Sequence, residues 1–155
     1  MPAPYSGGCL CSEVRYVLNA EPLTLYACHC TDCQRSSGSA FGLSLVVNRG
    51  SLQGQQGKSV QYSVKRPDGR TSRGQLCTAC MTRLWSEPLK HPDVVIVRPG
   101  TLDDTSWLRP VAHIWTRSAQ PWFKFPPDAV LFEGQPAPGE LSKIWQHRNS
   151  AAPQT

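Results

Sequence analysis

Residues 27–38 read ACHCTDCQRSSG, with Cys28, Cys30 and Cys33 inside six positions. A structural zinc almost always takes four protein ligands, whereas three leave a coordination position open. The reading of this triplet therefore depends on where the other four cysteines go. They form two pairs, Cys9 and Cys11 (C-x-C) and Cys77 and Cys80 (C-x-x-C). A C-x-x-C turn brings two sulfurs to one side of a tight loop, and an extended C-x-C places both side chains on one face. Joined, the two pairs make a closed four-cysteine site that ties the first strand to the middle of the sheet, and the triplet stands alone with an open position. A competing partition pairs Cys30 and Cys33 with Cys77 and Cys80, as in a zinc ribbon, and leaves Cys9, Cys11 and Cys28 unused. The first partition uses all seven cysteines.

The rest of the composition agrees with a β-rich chain built around these loops. The 155 residues suit a single domain over 1–149 with a tail over 150–155. Hydrophobic content is 39%, with 12 glycines and 14 prolines, a balance that favours many turns and short elements. Val14, Tyr16 and Leu18 alternate within Ser12–Leu18 and mark a strand. Further strands are expected over Leu23–Ala27, Ala40–Val47, Val94–Val97 and Val111–Trp115. Val60–Val64 and Arg70–Leu76 flank Pro67-Asp68-Gly69, the signature of a hairpin turn. A short helix is expected over Glu140–Gln146.

Charge and hydropathy exclude several classes. The net charge of +5 comes from 16 basic and 11 acidic residues, scattered along the chain. Such a mild excess favours anionic partners without by itself indicating nucleic acid, a solvated surface of mixed charge is the plainer reading, and no aromatic–basic interleaving of the base-stacking kind is present. No apolar run approaches the ~20 residues that span a bilayer. The opening MPAPYSGG lacks the features of a secretory signal, so a cytoplasmic, reducing environment is expected, and an odd count of seven cysteines agrees with free thiols.

Electrostatics narrows the chemistry of the open site. A divalent zinc held by three thiolates carries one net negative charge, which makes it a weaker activator of water than a zinc on three neutral histidines. A thiol is softer and more acidic than water and is deprotonated on coordination. The site thus suits capture of an exogenous thiol, whose sulfur can attack a small aldehyde to give a hemithioacetal. His29 and Asp32 are candidates to relay the thiol proton, with a His29 ring turned away from the metal as the plainer reading. Arg35, Ser36 and Ser37 are candidate donors to sulfur or to a substrate carboxylate. His113 reads as a core histidine, and Trp85 as core or as the wall of a pocket.

The chain resembles the glutathione-dependent formaldehyde-activating enzyme family, also represented by centromere protein V. The matching residues are Gly7-Gly8-Cys9-Leu10-Cys11, Cys28-His29-Cys30-Thr31-Asp32-Cys33-Gln34-Arg35, Cys77-Thr78-Ala79-Cys80 followed by Thr82-Arg83-Leu84-Trp85, Gly100-Thr101-Leu102-Asp103-Asp104 and Ala112-His113-Ile114-Trp115. The resemblance implies a β-tent fold of largely antiparallel strands with two zinc ions. By position it implies Cys9, Cys11, Cys77 and Cys80 as structural ligands, and Cys28, Cys30 and Cys33 as ligands of a catalytic zinc. The implied activity is that of a carbon–sulfur lyase, the reversible addition of formaldehyde to glutathione to give S-hydroxymethylglutathione. One position departs from the family, which usually has glycine after the second C-x-x-C where this chain has Met81. Two other classes stand beside the lyase. One is a zinc-stabilised module that binds protein or nucleic acid without catalysis. The other is a methionine sulfoxide reductase of the related fold, which needs a cysteine free of metal.

Overall fold

Val14, Tyr16 and Leu18 are each at most 1% exposed, so the period-two face read from the sequence is a core face. The structure is a computed structural model, and it describes residues 3–66 and 68–151. Its strands are β1 (Tyr5–Gly8), β2 (Arg15–Leu18), β3 (Thr24–Cys28), β4 (Gly42–Asn48), β5 (Leu52–Gln56), β6 (Ser59–Lys65), β7 (Thr71–Cys77), β8 (Arg83–Pro88), β9 (Val94–Val97), β10 (Ala112–Ile114) and β11 (Val130–Phe132). Two α-helices accompany them, α1 (Thr31–Ser37) and α2 (Glu140–Ala151). The chain is therefore mainly β, as its composition and turn pattern suggest.

The described residues fall into two compact units, one drawn from 3–22 and 45–107 and one from 23–44 and 108–151. In the first, β1, β2 and β5 form an antiparallel sheet in that order, and β4, β9, β8, β7 and β6 follow one another in antiparallel pairs. Tyr16 of β2 meets Trp85 of β8 edge to face, with ring centroids 5.9 Å apart. Trp85 is 1% exposed, so it belongs to this core. Such an aromatic pair adds about 1 kcal/mol beyond the area it buries. The stretch Gly100–Asp104 closes under β1: Gly7 bridges Leu102, the Asp103 N–H donates to the Ser6 carbonyl, and the Arg15 guanidinium grips the Asp103 carboxylate.

In the second unit, β10 lies between β3 and β11 and pairs in parallel with both. These two pairings are parallel, whereas those of the first unit are antiparallel, so the largely antiparallel expectation holds. The Thr24 hydroxyl of β3 donates to the Leu141 carbonyl of α2. That helix runs to Ala151, well past the expected Gln146, and takes in the start of the expected tail. The last four residues lie outside the described residues, as does Pro67 of the Pro67-Asp68-Gly69 turn. The hairpin itself is present, closed by the Arg66 N–H to the Arg70 carbonyl and the Gly69 N–H to the Arg66 carbonyl.

The helix α1 was not expected from sequence. It buries no residue, so it leaves no apolar stripe to read. Its ends do carry signals. Cys30 is the N-cap, with its sulfur accepting the Cys33 N–H, and Gly38 closes the C-terminus at φ 65°. Strands β1, β5, β8 and β11 were likewise unmarked, being short or rich in glycine and polar residues.

Gly7 is fixed by close approach. A Cβ there would lie 2.5 Å from the Tyr16 ring and 2.7 Å from the Thr101 carbonyl oxygen. The Tyr16 hydroxyl is itself paired with that of Thr101 at 2.6 Å. Gly7→Ala must displace buried Tyr16 or β1, and chemical denaturation should show a loss of about 1–3 kcal/mol. A variant as stable as the parent would mean that β1 shifts at no cost.

Candidate functional site

The seven sulfurs gather in two groups, each inside one of the compact units. Cys9, Cys11, Cys77 and Cys80 have sulfurs all within 4.8 Å of one another, and so do Cys28, Cys30 and Cys33. This is the grouping that uses every cysteine, and the ribbon-like alternative is not formed. The triplet ends at three: among the described residues no further Cys, His, Asp or Glu joins it.

Local structure explains the four-cysteine group. Cys9 and Cys11 sit in the turn between β1 and β2, where the Cys9 carbonyl accepts the Ser12 N–H and the Cys9 N–H donates to the Val14 carbonyl. Cys77 ends β7, and the following turn returns the Met81 N–H to its carbonyl and its own N–H to the Thr82 carbonyl. Thr82 joins the two loops. Its hydroxyl accepts the Leu10 N–H at 3.2 Å and lies 3.1 Å from the Cys80 sulfur. The Cys9–Cys11 and Cys11–Cys77 sulfur separations are 3.5 and 3.7 Å. Four sulfurs about 2.3 Å from a tetrahedral metal would be about 3.8 Å apart, so the donor set fits a metal and is far from disulfide contact.

Protonation in the bare site follows the hydrogen bonds. Burial pushes the Cys9 thiol up, but the Val14 N–H and the neighbouring Cys11 and Cys77 outweigh it, and the net direction is down. Cys80 is lowered to about 5 by the Thr82 hydroxyl and N–H. A backbone bond from Glu13 favours the Cys11 thiolate, yet the sulfurs of Cys9, Cys80 and Cys77 hold its proton and push it up to about 12. The triplet behaves the same way. Cys30 accepts from Cys28 and Cys33 and from backbone N–H groups and is driven far down, while hydrogen bonding to Cys30 and Cys33 drives Cys28 far up. Crowded thiols thus share few negative charges until a cation relieves their repulsion.

The triplet is built from two elements. Cys28 ends β3, paired with Ile114 of β10, whereas Cys30 and Cys33 belong to the cap and first turn of α1. His29 lies between them with its ring wholly buried. That ring sits 5.2 Å from the Phe41 ring, 5.0 Å from Phe123 and 5.3 Å from Phe125, and its Nε2 is 2.9 Å from His113 Nδ1. His29 Nδ1 is buried with no hydrogen-bond partner among the described residues. Burial first, and His113 second, push His29 down to about 4, and burial lowers His113 as well, so both rings are neutral at neutral pH. The plainer reading of both histidines therefore holds: neither joins the donor group.

The other candidates are placed as follows. Asp32 stands in the first turn of α1 and Arg35 on its exposed side. The Ser36 hydroxyl donates to the Cys33 carbonyl, and the Ser37 hydroxyl to the Phe41 carbonyl. Sequence reasoning missed the phenylalanines around His29, because Phe123 and Phe125 lie in a stretch without periodicity. It also gave Gln34 no role, although Gln34 stood in the matched motif. Its side chain bonds the His29 and Ser118 carbonyls and the Gln120 amide.

Residues 4–118 match the family described as glutathione-dependent formaldehyde-activating enzyme. No curated protein matches the chain. A crystal structure of a Rhodobacter sphaeroides protein is 15% identical, covering 66% of this chain and 91% of that one at a TM-score of 0.49, a likeness too distant to bear on fold or function.

Met81, the residue that departs from the family's usual glycine, adopts φ 59° and is 66% exposed. An L-residue there carries on the order of 1 kcal/mol of steric cost. Glycine would remove it, partly offset by the greater freedom of the unfolded chain. Met81→Gly should raise the unfolding free energy of the metal-loaded protein by up to about 1 kcal/mol, read from denaturant titration. A fall would show that the Met81 side chain makes a stabilising contact.

Proposed function

The chain belongs to the glutathione-dependent formaldehyde-activating enzyme family, and from that premise we propose that it is a carbon–sulfur lyase acting on a thiol–aldehyde adduct, S-hydroxymethylglutathione formed from glutathione and formaldehyde. The observation that carries the reading is a sulfur triplet with no fourth protein donor among the described residues, in a chain whose other cysteines form a group of four. Cys9, Cys11, Cys77 and Cys80 would hold a structural zinc, and Cys28, Cys30 and Cys33 a catalytic one. Zinc on three thiolates would supply a place for the substrate sulfur and favour its deprotonated form.

The remaining work falls to the chain. In the forward direction a carbon–sulfur bond forms between the thiol and formaldehyde, and the thiol's proton ends on the new hydroxyl oxygen. Asp32 is the candidate to carry that proton, since His29 is neutral and engaged with His113. Arg35, exposed two residues after Cys33, is the candidate partner for a substrate carboxylate. The phenylalanines around His29 hold the peptide between Cys28 and Cys30 in place and keep bulk water from the His29 ring. Free thiols support a reducing compartment such as the cytoplasm as the setting of the reaction.

The test compares Cys30→Ser with Cys77→Ser. The parent should carry two zincs per chain, one of them responsive to glutathione, and should speed exchange between formaldehyde and its glutathione adduct as followed by NMR. Cys30→Ser should lose at least ~10²-fold in that rate with its unfolding midpoint nearly unchanged. Cys77→Ser should lose ~3 kcal/mol or more of stability. Equal destabilisation by the two variants, or a parent that gives no acceleration, would sink the lyase reading and leave a zinc-stabilised binding module.

A further inference from the structure

We propose that Gln34 is the positioning residue of the three-cysteine site: its side-chain amide fixes Cys28 relative to Cys30 and Cys33 before any metal arrives, and thereby sets how tightly that site holds one. This rests on the triplet being a metal site, and on no particular reaction there.

The three sulfurs need such a device because they come from two elements. Cys28 is held by β3, while Cys30 and Cys33 move with α1. The Gln34 backbone belongs to α1, where its N–H donates to the Cys30 carbonyl at 3.0 Å and its own carbonyl accepts the Gly38 N–H. Its side chain reaches out of the helix. Nε2 donates to the His29 carbonyl at 2.7 Å and to the Ser118 carbonyl at 2.7 Å, and Oε1 accepts from the Gln120 Nε2 at 2.7 Å. Both partners of Nε2 are carbonyl oxygens, so the amide has one possible orientation.

The bonded carbonyl is the one between the first two cysteines. His29 is held at two further points, by its N–H to the Ile114 carbonyl at 2.9 Å and its ring Nε2 to His113 Nδ1 at 2.9 Å. Gln34 thus closes a frame in which β10, the residue between the ligands and the helix bearing the other two are mutually fixed. A four-ligand site can offset the ordering of its loops with four metal bonds. A three-ligand site has one bond fewer, so pre-organisation counts for more.

The test uses the full chain, stripped of metal and titrated with cobalt(II) alone against a competing chelator. The thiolate-to-cobalt absorption and the ligand-field bands report how many sulfurs bind and in what geometry. Gln34→Glu keeps the size but turns a carboxylate oxygen towards two carbonyls, and Gln34→Met removes all three bonds. Each should weaken one of the two sites by ~10–100-fold, the usual effect of losing a group that orients metal ligands, with altered ligand-field bands there and the other site unchanged. The affected site should be the one that Cys30→Ser abolishes. Gln120→Met, which removes only the outer bond, should weaken the same site by less than ~10-fold. Unchanged affinity at both sites, or equal loss at both, overturns the inference, the latter marking Gln34 as a general folding residue. If neither Gln34 variant folds, Gln120→Met decides, and an unchanged site there overturns the inference. Selective cobalt loss in the Gln34 variants, alongside a parent with no turnover of the adduct, would keep this inference and remove the lyase reading.

Discussion

Thiolates held within 4.8 Å of one another repel, and that repulsion is the constraint on which the two sulfur groups turn. Without a cation, each group can keep only part of its charge, settling on the sulfurs where hydrogen-bond donors, neighbouring thiols among them, outweigh burial. Cys30 and Cys80 are such sulfurs, and Cys28 and Cys11 keep their protons in consequence. A divalent metal inverts this balance by paying the repulsion of all the sulfurs at once. The same geometry that is costly when bare becomes a ligand set when filled, which is why metal loading and folding are expected to be linked.

The two groups differ in what the backbone invests in them. The four-cysteine group joins residues 66 apart, Cys11 and Cys77, in loops that need a left-handed residue on each side, Ser12 at φ 62° and Met81 at φ 59°. Strained turns of this kind persist where surrounding bonds over-determine them. Thr82 supplies part of that determination by touching both loops. The triplet carries no such strain within its span. It relies on a hydrogen-bonded frame of His29, His113, Gln34, Ser118 and Gln120, with aromatic rings closing over the histidines. One group joins segments distant in the chain, and the other is framed by hydrogen bonds around the first turn of one helix.

Some of this was legible in the residues and some was not. The alternation at Val14, Tyr16 and Leu18 gave a core face because a strand's side chains alternate whatever it pairs with. The strand Val94–Val97 was read to the residue. The helix α1 escaped notice because it lies flat on the surface without a buried stripe, and only its Cys30 cap and Gly38 terminus betray it. The extension of α2 to Ala151 was missed for a like reason, since none of residues 140–150 is buried.

The sequence by itself determined the cysteine inventory and its three local clusters, because metal-ligand spacing is a local property of C-x-C and C-x-x-C segments. It also determined the mainly β character, through turn residues and strand periodicity. The tertiary structure decided that Cys9 and Cys11 meet Cys77 and Cys80, that β10 runs parallel to β3, and that His29 turns into a cage with His113, Phe123 and Phe125. It also decided that the Gln34 amide spans from helix to strand. Each of these joins residues far apart in the chain, and no local propensity encodes which distant partners a side chain will find when the core closes.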